Sequence, residues 1–265
     1  MADDVQLSVQ GGVAFIQLNR PSTGNAILGP MFDSLRKIVL KLADAPPQFL
    51  VLSGEGADFC TGLELEAGDP LYGMLESMMS SRDAYRVQEL ITRLRGTFDA
   101  MGRLPCPIIA AIEGTCHGAG LELALIADLR IASDEATFAL PGVRSGLLTG
   151  LGGLVQLSLL VGPARAAALT LTGSTLDASE AMSLGLVSRL CPPGMARAGA
   201  LDLVAEMQRT SPTARRQTLL AHRAIRQKMA EGLFEHESQC AARTWISGEW
   251  QQGLSARRSG REPSW

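Results

Sequence analysis

Two stretches of this chain set a carboxylate just after a glycine-bearing turn: FCTGLELE at residues 59–66, with Glu64, and CHGAGLELALIAD at 116–128, with Glu122. Glycine has no β-carbon, so backbone N–H groups in such turns come close to a ligand. At 118–128 the glycines lead straight into an apolar helical segment, and a helix N-terminus offers unpaired N–H donors and a partial positive charge. Two turns of this kind facing one another would make a pair of donors for an oxygen that becomes negative during a reaction, with a carboxylate beside them to move a proton. For one G-x-G taken alone, close strand–helix packing is the better reading. Two stretches in this order point instead to chemistry.

Rigid elements must hold these turns. VQLSV (5–9) and VAFIQL (13–18) alternate like the arms of a hairpin around Gly11-Gly12, and PMFDSLRKIVLKLADA (30–45) places Met31, Leu35, Ile38, Val39 and Leu42 on one helix face. FLVLSG (49–54), PIIAAIEG (107–114) and DLRIAS (128–133) read as buried strands. The spacing predicts a long helix over 75–103, interrupted at Ser80-Ser81, with Val87, Leu90, Ile91, Leu94 and Phe98 on one face. From Ala164 onward the pattern is almost wholly helical, punctuated at Gly173, Gly185, Pro192-Pro193-Gly194 and Pro212. Strands interleaved with helices imply an α/β core. The break at 191–194 divides it, as an expectation, into an α/β part at 1–191 and a helical C-terminal part at 192–265.

Composition removes several function classes. The chain has 265 residues, 46% of them apolar and 19% charged, enough to build a core. Its formal net charge is −3, and no dense Lys/Arg block supplies the footprint of a nucleic-acid binder. The five cysteines, Cys60, Cys106, Cys116, Cys191 and Cys240, show no CxxC spacing, so neither a disulfide framework nor a zinc or other metal site is expected and a reducing cytoplasm fits. The acidic start MADDVQLSVQ lacks the pattern of a secretory signal. Ser145 to Ala164 carries no charge and approaches the length of a membrane span, but five glycines with Thr149, Gln156 and Ser158 make it a glycine-rich loop running into a buried helix. Neither nucleic acid nor membrane is expected as a partner.

Five blocks in register resemble the crotonase superfamily, the enoyl-CoA hydratase/isomerase group: LNRPSTGNAI (18–27), VLSGEGADFCTGLEL (51–65), PIIAAIEGTCHGAGLELALIADLRIAS (107–133), GLLTGLGGLVQLSLLVG (146–162) and LTGSTLDASEAMSLGLVSRLCP (171–192). The resemblance covers nearly the whole chain. It implies an α/β fold, a spiral of repeated ββα units with a helical C-terminal region, and it assigns to residues 192–265 a share of the coenzyme A pocket and of the subunit contacts. It further implies a homotrimer or homohexamer, coenzyme A thioester substrates, and no cofactor beyond the coenzyme A that the substrate itself carries.

Carried over residue by residue, the resemblance makes the backbone amides of Leu63 and Ala119 an oxyanion hole for an enolate-like intermediate, and Glu122 the first of the two acid/base glutamates of true hydratases. Cys60, Thr61, Gly62, Gly118, Gly120 and Gly142 fall on the substrate-binding turns. The second hydratase glutamate is replaced by Gly142, and the carboxylate of dienoyl-CoA isomerases, eight residues further on, by Gly150; no Asp or Glu occurs between Phe138 and Gly153. Arg257 and Arg258, with Arg261, take the place of a tail that contacts coenzyme A phosphates. Glu64 matches an acidic position with a structural role, while His117, Arg144, Tyr72 and Tyr85 are secondary candidates for substrate contact.

The expected activity is that of an enoyl-CoA hydratase/isomerase-like enzyme with Glu122 as its main acid/base. Two other readings stay open. One is a relative that acts on polyketide-type acyl chains tethered to a carrier protein, or that decarboxylates or hydrolyses a thioester. The other is a non-catalytic subunit that binds acyl thioesters.

Overall fold

A computed structural model describes residues 3–65 and 68–265. Val5–Gln10 (β1) and Val13–Leu18 (β2) form the expected antiparallel hairpin. Gly29–Asp44 (α1) buries Met31, Phe32, Leu35, Val39 and Leu42 before Phe49–Gly54 (β3). The interrupted helix is two helices, Pro70–Ser80 (α2) and Ala84–Gly102 (α3). Each begins at an aspartate whose carboxylate accepts amide hydrogens of the first turn, Asp69 from Leu71 and Tyr72, Asp83 from Arg86.

Then come Ile108–Ile112 (β4), Thr115–His117 (β5), Ala119–Ile126 (α4), Leu129–Ser133 (β6) and Thr137–Ala139 (β7). A 3-10 turn at Pro141–Ser145 leads to Gly153–Val161 (α5), Pro163–Thr172 (α6), Thr175–Asp177 (β8), Ala178–Ser183 (α7) and Arg189–Cys191 (β9). Four helices close the chain: Ala196–Gln208 (α8), Pro212–Met229 (α9), Leu233–Ser247 (α10) and Glu249–Arg258 (α11).

The main sheet has the order β1-β2-β3-β4-β6-β9, parallel from β2 onward, and a second sheet has the order β5-β7-β8. A strand of the large sheet, a strand of the small one and a helix follow each other in β4-β5-α4, and again in β6-β7-α5, which is the ββα repeat. The sequence pattern after Ala164 reads as almost wholly helical and marks no strand, and β8 and β9 correct it. Each spans three residues, too short for an alternation to show.

The parallel strands are apolar on both faces because both are covered. Phe49 and Val51 of β3 pack with Ala196, Ala200, Leu203 and Val204 of α8, while Leu50 and Leu52 face the larger core with α1, α3 and α4. Residues just past Cys191 thus build one face of the core. Further on, α10 packs on α3 and α5, and α11 on the turn at 141–145, which brings the C-terminal helices over the α4–α5 region. Among the described residues no helix is long and apolar enough to cross a membrane, and no group of three or more His, Cys, Asp or Glu side chains is placed to hold a metal ion.

Candidate active site

The loop after β3 is stitched down on both sides. Cys60 donates its amide to the Thr115 carbonyl, Thr61 to Gly24, and Glu64 to Ile27, while Ile27 donates to the Gly62 carbonyl at 2.8 Å. Between these bonds the Leu63 amide meets no acceptor among the described residues. The second bend is fixed in the same way, with the Gly118 amide on the Ala139 carbonyl and the Glu122 amide on the Gly118 carbonyl. That leaves the Ala119 amide, first of α4, without an acceptor there.

The two bends touch. A β-carbon on Gly118 would lie 3.6 Å from the Gly62 α-carbon, and one on Gly62 would lie 4.0 Å from the Ala119 nitrogen. Their φ angles, 119° at Gly62 and 51° at Gly118, fall where L side chains are strained, so glycine serves both the turn and the contact. Two unpaired donors, one of them at a helix N-terminus, therefore border one cavity of about 200 Å³, walled mainly by apolar side chains such as Leu75, Leu90, Ile91 and Trp250.

Glu122 is the only acidic side chain among the described residues that line this cavity, and it is 5% exposed. Its Oε1 accepts the Thr149 hydroxyl, the Leu151 amide at 2.7 Å and the Gly153 amide at 3.1 Å. Burial pushes its carboxyl up to about 6, against the opposing pull of the Thr149 hydroxyl and the loop amides. Such a group exchanges protons near neutral pH. Gly153 permits this arrangement, since a β-carbon there would stand 2.7 Å from the Glu122 Cγ.

The remaining candidates separate by position. Thr61 and Gly142 line the cavity with Gly62, Leu63, Gly118 and Ala119. Cys60 and Gly120 stand behind its wall, packed on each other: a β-carbon on Gly120 would lie 2.6 Å from that of Cys60, whose thiol burial pushes up to about 12, far from a nucleophile. Glu64 pairs with Arg20 at 2.5 Å. His117 meets the Thr137 hydroxyl at 3.1 Å, across β5 and β7. Arg144 donates to the Thr172 carbonyl at 2.9 Å. Tyr72 packs edge-on against Trp250, and Tyr85 is exposed. Arg261 is exposed, and the side chains of Arg257 and Arg258 lie outside the described residues.

At the two positions where the resemblance leads one to expect a further acid, a side chain would be crowded. A β-carbon at Gly142 would stand 2.8 Å from the Leu147 carbonyl oxygen, and one at Gly150 would stand 3.0 Å from Ile91 Cγ2. Sequence reasoning missed Glu237, on α10, which is 3% exposed and accepts the amides of Gly152 and Val155, each at 2.9 Å. A signal was present: Glu237, Ala241 and Trp245 recur at helical spacing, and a carboxylate in an otherwise apolar stripe needs a partner.

The sequence profile of the enoyl-CoA hydratase/isomerase family matches residues 8–265. The enoyl-CoA isomerase/hydratase fer4 of Mycosarcoma maydis is 31% identical over 263 residues, covering 95% of this chain and 92% of its own. The human mitochondrial delta(3,5)-delta(2,4)-dienoyl-CoA isomerase is 33% identical over 212 residues, 78% of this chain and 64% of its own. An enoyl-CoA hydratase structure from Mycobacterium avium subsp. paratuberculosis K-10 superposes with a TM-score of 0.83 over 99% of this chain and 98% of its own, at 23% identity, a likeness of fold.

Proposed function

Since the chain belongs to the enoyl-CoA hydratase/isomerase family, in the crotonase superfamily, we propose that it shifts the double bond of an unsaturated acyl-CoA thioester, with Glu122 as the single proton carrier. The observation that carries this reading is that, among the described residues, Glu122 is the one carboxylate lining the cavity, beside two amides that meet no acceptor there.

In a β,γ-unsaturated thioester the Glu122 carboxylate removes a proton from the carbon next to the thioester carbonyl. The electron pair moves onto the carbonyl oxygen, where the Leu63 and Ala119 amides hold the dienolate. The pair then returns along the chain, and the γ-carbon takes the proton back from the same carboxyl group, leaving an α,β-unsaturated product. One proton leaves and one returns, so the step balances with no other reactant. Each amide contributes on the order of 10²–10³ in rate, and the carboxylate about 10²–10⁴.

Hydration divides water activation and proton donation between two groups. A β-carbon at Gly142 would crowd the Leu147 carbonyl, which supports hydration as the slower activity here. Coenzyme A enters only as the substrate's carrier. A homotrimer or homohexamer belongs to the same proposal, and light scattering that gives only a 28.1 kDa species would remove it.

The test is a panel of 3-enoyl-, 2-enoyl-, dienoyl- and malonyl-CoA esters, each also supplied on an acyl carrier protein, with products read by mass spectrometry. Double-bond shift on coenzyme A esters is expected, falling about 10²–10⁴-fold in Glu122→Gln. Full turnover in that variant overturns the reading, as does hydration faster than isomerisation. Turnover of carrier-bound substrates alone would replace the coenzyme A substrate, and binding without any turnover would replace catalysis.

A further inference from the structure

Glu122 does not hold its loop alone. The amides that open α5 are shared alternately between two buried carboxylates: Leu151 and Gly153 donate to Glu122, and Gly152 and Val155 donate to Glu237. Neighbouring amides of one helix start thus hold side chains that come from α4 and α10. Gly152 makes room for this, since a β-carbon there would meet the Phe234 ring at 3.0 Å. Glu237 lies outside the cavity lining, so it does not touch the substrate space.

We propose that Glu237 is a positioning residue for Glu122, fixing the α5 start that holds the Glu122 carboxyl and, by its own charge, setting how tightly Glu122 keeps its proton. This rests on Glu122 being the proton carrier.

Among the described residues the charges that act on Glu237 are few. From α4 comes Glu122, and from α3 Arg95, itself paired with Asp99 at 3.2 Å and bonded to the Phe234 carbonyl at 2.9 Å. No residue of α5 is charged. On α2, Tyr72 packs against Trp250 and Glu76 is exposed; on α11 Glu249 is exposed; on α10 itself Glu235, His236 and Arg243 are exposed. Burial, then the like charge of Glu122, pushes the Glu237 carboxyl up to about 7, and the Gly152 and Val155 amides and Arg95 pull the other way. Coupling between two such groups is mutual, so they release their protons in two steps that belong to the pair. While Glu237 is ionised, Glu122 is a stronger base than it would be alone.

The experiment follows the glutamate carboxyl ¹³C signals of the full chain against pH in wild type, Glu237→Gln and Glu122→Gln, together with the pH profile of double-bond shift. Two inflections are expected in the wild-type Glu122 curve and one in Glu237→Gln, with the acid limb of kcat moved to lower pH. Reciprocally, Glu122→Gln is expected to bring the Glu237 midpoint down from about 7 toward the ordinary carboxylate range. Identical Glu122 curves with and without Glu237 overturn the proposal. Should Glu237→Gln fail to fold, the Glu122→Gln titration decides alone: an unmoved Glu237 midpoint overturns the proposal. The spectra need no substrate, so they separate a failure of this coupling from a failure of the assigned reaction.

Discussion

Gly153→Ala is a one-carbon probe of whether the placement of Glu122 governs turnover. The added β-carbon would stand 2.7 Å from the Glu122 Cγ, 2.8 Å from the Thr149 hydroxyl and 3.0 Å from the Glu122 Oε1. Ordinary carbon contacts begin near about 3.5 Å, so the carboxyl must retreat by somewhat under ~1 Å, and the 3.1 Å bond from the Gly153 amide lengthens or breaks. A misplacement on the order of 1 Å costs about 10²-fold in rate. Fold stability takes two opposed contributions: alanine is better than glycine in a helix by about 1 kcal/mol, and crowding costs roughly 1–3 kcal/mol. The expected result is therefore a loss of about 10²-fold in kcat, with KM for the thioester little changed and a shift in Tm of a few degrees. Gly96→Ala on α3 is the control, because a β-carbon there meets nothing within 4 Å; it is expected to keep full activity. Steady-state kinetics beside thermal melts read both variants. If Gly153→Ala turns over at the wild-type rate, the position of Glu122 does not limit the reaction and the reasoning is refuted.

Two other predictions concern the missing acid and the buried pair. Gly142→Glu, which puts a carboxylate where the resemblance leads one to expect the second glutamate, is expected to give no gain in crotonyl-CoA hydration, because its β-carbon meets the Leu147 carbonyl at 2.8 Å; a hydration rate raised tenfold or more would show that the place is open. Glu122 and Glu237, pushed up to about 6 and about 7 from an ordinary 4.5, bind protons in the fold at pH values where the unfolded chain has released them. Their contribution to stability is therefore fully present below pH 4.5 and is lost as pH rises through about 7. Urea melts across that window are expected to show a smaller decline in Glu237→Gln than in wild type, and equal slopes would deny that burial holds these protons.

What the sequence disclosed was what neighbouring residues decide. The bends at Gly62 and Gly118 were readable because backbone freedom and a following helix lie within a few residues, and Glu122 because it sits in the first turn of that helix. The hairpin and the α2–α3 break were marked by their own turn residues. The crowding around Gly142 was hidden, since it depends on the path of the 3-10 turn back to Leu147. The partners of Glu237 were hidden more deeply, for Gly152 and Val155 lie 85 and 82 positions away, and β8 and β9 are too short to announce themselves. The apolar wall from Trp245 and Trp250 likewise depends on α10 and α11 folding back over α4 and α5.

The central claim is that the Leu63 and Ala119 amides hold the charge that forms on the thioester oxygen. Ala119 is the first residue of α4, where proline fits helix geometry and replaces, by a ring carbon, an N–H that meets no acceptor among the described residues. Measuring kcat and KM of Ala119→Pro beside its thermal melt tests the claim most directly. Ala119→Pro is expected to lose about 10²–10³-fold in kcat with Tm close to wild type. Wild-type turnover by a folded Ala119→Pro would contradict it.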